Sequence, residues 1–331
     1  MEPSLGCYLK FVQLIYKRSN TSRVSLFKLM CLCRSRQVHD QCSNEINCGS
    51  SQATFQNYER RILLNDGNYI PTFGLGVWKI PKGHETFNAV TWALKAGYKQ
   101  IDTAARYGNE ESVGEALKNS GLPREDIYVT TKLYDDSHGY NETIEAFHKS
   151  LNRLGLKYID LYLIHSPVNG KILSTWEAMV ELQNKKLVRS IGVSNFDIHH
   201  LVELHKHTNV RPAVNQIEVH PFLQEKRLVK YCKDNGIVIQ AYSPLASGRK
   251  LNEPRLLKLA KKYNSSPAVI LIQWCLEKGY VCVAKSSNKD RIEVNLTAYG
   301  LVLHEEDINL LNSMEEGFRT CHEKIKEPWT G

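Results

Sequence analysis

The sequence predicts an α/β protein: one closed (β/α)8 TIM barrel with an N-terminal β-hairpin and a short C-terminal tail. Two observations carry this. From Phe73 onward, eight short β-branched runs alternate with segments whose apolar residues recur at helical spacing, and the units repeat at roughly 25 to 40 residues, as a closed parallel barrel requires. Polar or charged residues also fall at the C-terminal ends of these strands, the face on which such barrels place their sites. Length alone leaves the choice open, because 331 residues suit either two domains or one barrel with an extension.

The elements follow in order. Residues 1–57 show no sustained period and end in Ser/Asn/Gln-rich text, so they are expected to be a poorly ordered extension, with the barrel occupying residues 58–331. Arg61 to Ile70 places two apolar runs around Asn65-Asp66-Gly67, a hairpin signature in which Gly accepts positive φ. The strands expected next are Phe73–Trp78, Gln100–Thr103, Tyr128–Lys132, Ile159–His165, Ser190–Ser194, Val214–Val219, Ile237–Tyr242 and Tyr280–Lys285. Helical periodicity marks Glu85–Ala96, Glu110–Ser120, Tyr140–Leu154, Leu173–Lys186, Pro254–Tyr263 and Pro267–Lys278, the last two sharing the longest interval.

Composition narrows the function classes. With 42% hydrophobic and 24% charged residues the chain is ordinary for a globular protein, and no apolar run reaches the ~18 residues of a membrane span. The net charge of +8 is unevenly placed: Lys10, Lys17, Arg18, Arg23, Lys28, Arg34 and Arg36 face only Glu2, Asp40 and Glu45 in the first 57 residues. The rest is too dilute in charge for a nucleic-acid footprint. Five of the nine cysteines lie before residue 50, and their odd number and irregular spacing suggest a reducing compartment. A cytoplasmic monomer is expected, with a mitochondrial location as the alternative if the acid-poor residues 1–36 act as a transit peptide.

The polar strand ends bring together Asp102, Lys132, His165, Ser194, Asn195, Gln216, Tyr242, Ser243, Lys285 and Ser286. Any one of them has a bland reading, such as a helix cap or a satisfied core histidine; their convergence on one end does not. With Tyr107 nearby, the set permits carbonyl reduction. A phenol is a poor acid at neutral pH, and an adjacent Lys132 ammonium would lower its pKa. A buried lysine needs a counter-ion, which Asp102 supplies, and His165 can donate to a carbonyl oxygen. None of these groups is a hydride source, so this chemistry requires a nicotinamide cofactor.

Other chemistries fit less well. Gly192-Val-Ser-Asn-Phe196 has Phe where a hydrolase elbow has its second Gly, and Gly74-Leu-Gly76 lacks the third Gly of a dinucleotide fingerprint. His199, His200, His205 and His207 read as a solvated helix face, without the pairing of a metal site. The Asn-x-Ser/Thr matches at Asn20, Asn141, Asn264 and Asn295 are read as chance.

The stretch from Tyr58 to Trp329 resembles the aldo-keto reductase family, in its short-loop type similar to glyoxal and prostaglandin F synthase-like members. The resemblance rests on Asp102-Thr-Ala-Ala-Arg-Tyr-Gly-Asn-Glu110, Thr131-Lys132-Leu133, Leu163-Ile-His-Ser-Pro167, Gly192 to Phe196 and Asn215 to Pro221. It implies a catalytic tetrad of Asp102, Tyr107, Lys132 and His165, and NADPH/NADP+ as cofactor. Ser194, Asn195 and Gln216 would hold the nicotinamide amide, with Tyr242 stacked on the ring. Ser243, Leu245 and Ser247 would meet the pyrophosphate. Lys285, Ser286 and Arg291 would read the 2′-phosphate, at a helix N-terminus suited to anions, and Asn295 the adenine. Ala284 and Val294 depart from the family's usual Pro and acidic residue.

Trp78 matches a family pocket aromatic, while Tyr134 and Ser166 stand at two usual tryptophan positions. The loop after His165 is short, so the expected substrates are small aldehydes, dicarbonyls and ketones taken with low affinity. No nucleic acid, membrane or metal partner is expected. The alternative is a barrel that binds NADPH as a regulatory or redox-sensing subunit with little turnover.

Overall fold

The computed structural model describes residues 60–321 and 326–331. The extension expected over residues 1–57 lies outside the described residues. β1 (Arg61–Leu63) and β2 (Tyr69–Pro71) form the antiparallel hairpin, in register Ile62 with Ile70. Gly67 takes φ 85° in its turn, and Asp66 Oδ1 accepts from Asn68 N at 3.1 Å.

The barrel strands are β3 (Phe73–Gly76), β4 (Gln100–Asp102), β5 (Tyr128–Leu133), β6 (Ile159–Ile164), β7 (Val188–Ser194), β8 (Val214–Glu218), β9 (Val238–Tyr242) and β10 (Val281–Lys285). All pair in parallel, in sequence order, and β10 closes on β3. The eight predicted strands are therefore the eight observed. β3 stops at Gly76 rather than Trp78, because the chain turns after Val77 N donates to Asp102 O at 3.1 Å.

The helices are α1 (His84–Ala96), α2 (Glu110–Asn119), α3 (Tyr140–Leu154), α4 (Ile172–Asn184), α5 (Ile198–His207), α6 (Lys226–Asp234), α7 (Pro254–Lys262), α8 (Pro267–Glu277), α9 (Lys289–Leu296) and α10 (Glu305–Asn312). As predicted, α7 and α8 share the interval between β9 and β10. Ser266 caps α8, accepting from Val269 N at 3.2 Å ahead of Pro267 in its first turn.

The apolar residues divide into two clusters. The larger lies between strands and helices and includes Trp176, Trp274, Phe147 and Phe196, all buried. The smaller joins Leu64 and Ile70 of the hairpin to Tyr128, Leu161, Leu163, Val214 and Val281, so the hairpin covers the N-terminal end of the barrel. Gly192 is required where β7 meets β8: a Cβ there would lie 2.5 Å from Val214 O. Polar strand residues occur at both ends: Asp160, near the start of β6, is buried and paired with Arg124 and Arg189, while Asp102, Lys132, Ser194 and Gln216 lie towards the C-terminal end.

One expectation is corrected here. His200 does not lie on a solvated face; it is buried in the first turn of α5. Its Nδ1 accepts from Asp197 N at 2.9 Å while Asp197 Oδ1 accepts from Ile198 N, a capping box with His at the third position. Its Nε2 donates to Glu327 O at 2.7 Å, fixing the tail to the helix.

Candidate active site

Asp102 is the last residue of β4, Lys132 lies on the neighbouring β5, and Tyr107 ends a short 3-10 turn that follows β4. Strand alternation aims Lys132 inward, where it is fully buried. Its ammonium has three protons, and three oxygens receive them: Asp102 Oδ1 at 2.7 Å, Thr103 O at 2.8 Å and Tyr107 Oη at 3.1 Å. His165 sits just past β6, its ring centroid 5.8 Å from that of Tyr107 and its carbonyl accepting from Asn195 Nδ2 at 2.9 Å. The four predicted tetrad residues therefore meet at one point.

The electrostatics differ from expectation in one respect. The Tyr107 phenol is pushed well above its ordinary pKa, not below it: burial is the main cause and the Asp102 carboxylate the next. Burial pulls Lys132 down, against the charge and hydrogen bond of Asp102, which favour the ammonium. Desolvating a phenolate costs more than one nearby ammonium returns when that ammonium is itself paired. The ground state is thus a protonated phenol held against a cation, as a proton donor requires.

The residues expected to meet a nicotinamide lie beside this centre. Ser194 ends β7, and Asn195 follows in the left-handed region at φ 61°. Asn195 Nδ2 donates to His165 O and to Ser194 Oγ at 3.1 Å, and its Oδ1 accepts from Tyr242 Oη at 2.8 Å. Ser194 Oγ donates to Gln216 O at 2.8 Å. Gln216 Nε2 donates to Asp102 Oδ2 at 2.7 Å and to Gln240 Oε1 at 2.8 Å, leaving Oε1 as the amide's acceptor for a ligand. An aromatic face with its hydroxyl pinned, beside an amide oxygen and a buried hydroxyl, fits a nicotinamide.

Further along the mouth, the loop after β9 is strained. Ser243, Ala246 and Ser247 have φ of 48°, 49° and 52°, each costing of order 1 kcal/mol for a non-glycine residue. Ser247 Oγ donates to Thr320 Oγ1 at 3.0 Å, and Ser243 Oγ lies 3.6 Å from Cys321 Sγ; Leu245 is half-buried between them. Lys285 ends β10, exposed, and α9 begins four residues later with Asn288 Oδ1 accepting from Arg291 N at 3.0 Å. Arg291 is exposed, Ser286 Oγ accepts from Asn288 N at 3.2 Å, and Asn295 is buried on α9. Two exposed cations at this helix start suit a phosphate monoester.

The pocket residues separate. Trp78 is 42% exposed and packs against Tyr107 with ring centroids 4.7 Å apart and planes tilted by 47°, so it walls the mouth directly beside the phenol. Tyr134 is half-buried under the Arg106 guanidinium, 5.0 Å from its ring centre. Ser166 is not brought to the open wall: it is fully buried and its Oγ donates to Asp135 Oδ1 at 2.6 Å.

Two residues of the site escape the sequence reading. Gln240 is one; strand period two places it on the same face as Tyr242, and that signal was legible. Glu218 is the other. Buried at the end of β8, its Oε1 accepts from Thr320 N at 2.8 Å and from the Thr320 hydroxyl, and its Oε2 from Cys321 N at 3.1 Å. Burial acts to raise its pKa, but hydrogen bonds from His220, Thr320 and Cys321 outweigh it and hold the carboxyl below its usual range. No spacing in the sequence announces a contact across about a hundred residues. Among the described residues no three His, Cys, Asp or Glu side chains are grouped to hold a metal ion, and no helix is long and apolar enough to cross a membrane.

The fold and this mouth define a single-barrel oxidoreductase acting on carbonyls. The chain belongs to the aldo/keto reductase family, whose profile matches residues 72–316. It is 46% identical over 261 residues to a 9,11-endoperoxide prostaglandin H2 reductase of Trypanosoma cruzi, covering 78% of this chain and 92% of that one. It is 43% identical over 258 residues to a glyoxal reductase of Bacillus subtilis, covering 78% and 94%. Among solved structures, a Bombyx mori aldo-keto reductase in complex with NADP superposes with a TM-score of 0.74 at 38% identity, covering 78% of this chain and 94% of that one.

Proposed function

We propose that this chain reduces small aldehydes, dicarbonyls and ketones to alcohols with NADPH, and that Tyr107 is the proton donor. When bound, NADPH supplies a hydride to the carbonyl carbon. The carbonyl oxygen then needs a proton and a place for its developing charge. Tyr107, protonated in the ground state, gives that proton, and His165 at the same wall directs a hydrogen bond to the oxygen. The phenolate left behind faces the Lys132 ammonium at 3.1 Å, and Asp102 at 2.7 Å keeps that ammonium charged. Carbon gains the hydride and oxygen the proton, so the balance is one alcohol.

The observation that carries this reading is the triple donation by Lys132, which ties Asp102 to Tyr107 in a buried line ending at the open mouth beside Trp78. NADP-bound and reductase-named relatives support the cofactor and the substrate class. NADP is favoured over NAD by Lys285 and Arg291, exposed together at the start of α9. The experiment is NADPH consumption by the purified protein across a panel of small carbonyls, including methylglyoxal. Turnover is expected; tight NADPH binding with no turnover on any member would overturn the reading in favour of a binding subunit.

A further inference from the structure

We infer that Gln240 is a positioning residue for nicotinamide recognition, holding the Gln216 amide in the orientation that presents its oxygen to a carboxamide N–H. The inference rests on the reading that Gln216 meets the nicotinamide. Gln216 and Gln240 are direct partners in the β8–β9 register, and both are buried, at 2% and 0% exposure. A buried amide in a barrel interior is costly unless its hydrogen bonds are made, and an apolar side chain would fill the same space without that cost.

The geometry gives the amide of Gln240 a task. Gln216 Nε2 carries two protons, and both are taken: one by Asp102 Oδ2 at 2.7 Å, one by Gln240 Oε1 at 2.8 Å. A carboxylate can only accept, so turning the Gln216 amide over would set its oxygen against Asp102 Oδ2; Gln240 takes the second Nε2 proton and steadies the amide in that position. Asp102 thereby determines which atom of Gln216 is left for a ligand, Oε1, and Gln240 restrains the amide from rotating away from it. The same bonds run in one line from Gln240 through Gln216 and Asp102 to Lys132 and Tyr107. Without Gln240, only Asp102 constrains the amide, and one Nε2 proton loses its partner.

The test compares two ligands on the full chain by fluorescence titration: NADP+ and its acetylpyridine analogue, which keeps the carbonyl but lacks the carboxamide N–H. In the wild type, NADP+ is expected to bind more tightly by about 3- to 10-fold, the worth of one hydrogen bond. In Gln240→Met that ratio falls towards unity, as it does in Gln216→Met. A purely structural role would weaken both ligands in proportion. Gln240→Thr, too short to reach Gln216, serves as the second variant if the first does not fold. If Gln216→Met loses the discrimination while both Gln240 variants keep it, or weaken both ligands equally, the role of Gln240 is overturned and the nicotinamide reading stands. If Gln216→Met itself keeps the wild-type ratio, the underlying reading fails.

Discussion

Lys132 Nζ lies 3.1 Å from Tyr107 Oη, and its two remaining protons are given to Asp102 and to the Thr103 carbonyl. A cation so held cannot swing away, so its field is fixed at the oxygen from which a proton would leave. Burial keeps that oxygen protonated until a reaction demands otherwise.

The Asp102–Lys132 ion pair at the mouth is almost wholly buried, at 5% and 0% exposure for the two side chains. Removing one partner strands the other charge. Lys132→Met is expected to destabilise the fold by about 3–5 kcal/mol in urea unfolding, and Asp102→Leu combined with Lys132→Met to recover most of that loss. Neither variant should reduce carbonyls. An additive double variant would mean that the two charges are not coupled.

His200 gives a pH dependence of stability. Burial, with His199 beside it, lowers its pKa from 6.5 to about 4 in the folded protein. Above pH 6.5 the ring is neutral in both folded and unfolded states and its contribution is complete. As pH falls from 6.5 towards 4 the unfolded chain takes up a proton that the folded one refuses, so stability drops over that range. His200→Gln, which can keep the capping box without titrating, should flatten that part of the thermal-stability profile. A variant profile parallel to the wild type would assign the decline to other groups.

Cofactor choice is tested at the start of α9. Lys285→Ala and Arg291→Ala are each expected to weaken NADPH by about 10-fold and to leave NADH unchanged, in titrations at fixed salt. Equal losses for both cofactors would move the 2′-phosphate contact elsewhere.

The sequence made the barrel legible because its two periods are clean. Runs such as Ile159–Ile164 are buried throughout and flanked by helices with apolar stripes, so the strands could be counted before their pairing was known. The grouping of Asp102, Tyr107, Lys132 and His165 was legible because three of them stand at or beside strand ends, where backbone geometry fixes position. What escaped depends on contacts distant in sequence. Glu218 binds the tail at Thr320 and Cys321, and Ser166 turns to Asp135, where it no longer faces the mouth. His200 escaped for a different reason: Asp197 and His200 have capping-box spacing, but a histidine in place of Glu or Gln disguised it. The pKa direction of Tyr107 failed because neighbouring charge can be read from sequence and burial cannot.

The central claim is that Tyr107 protonates the carbonyl oxygen, and the most direct test is single-turnover reduction of methylglyoxal by Tyr107→Phe beside an NADPH titration of the same variant. The substitution removes only the hydroxyl and leaves the ring that packs against Trp78. NADPH should bind as it does to the wild type while reduction slows by about 100- to 10,000-fold, the range for loss of a general acid. Reduction at the wild-type rate would contradict the claim and assign the proton to another group.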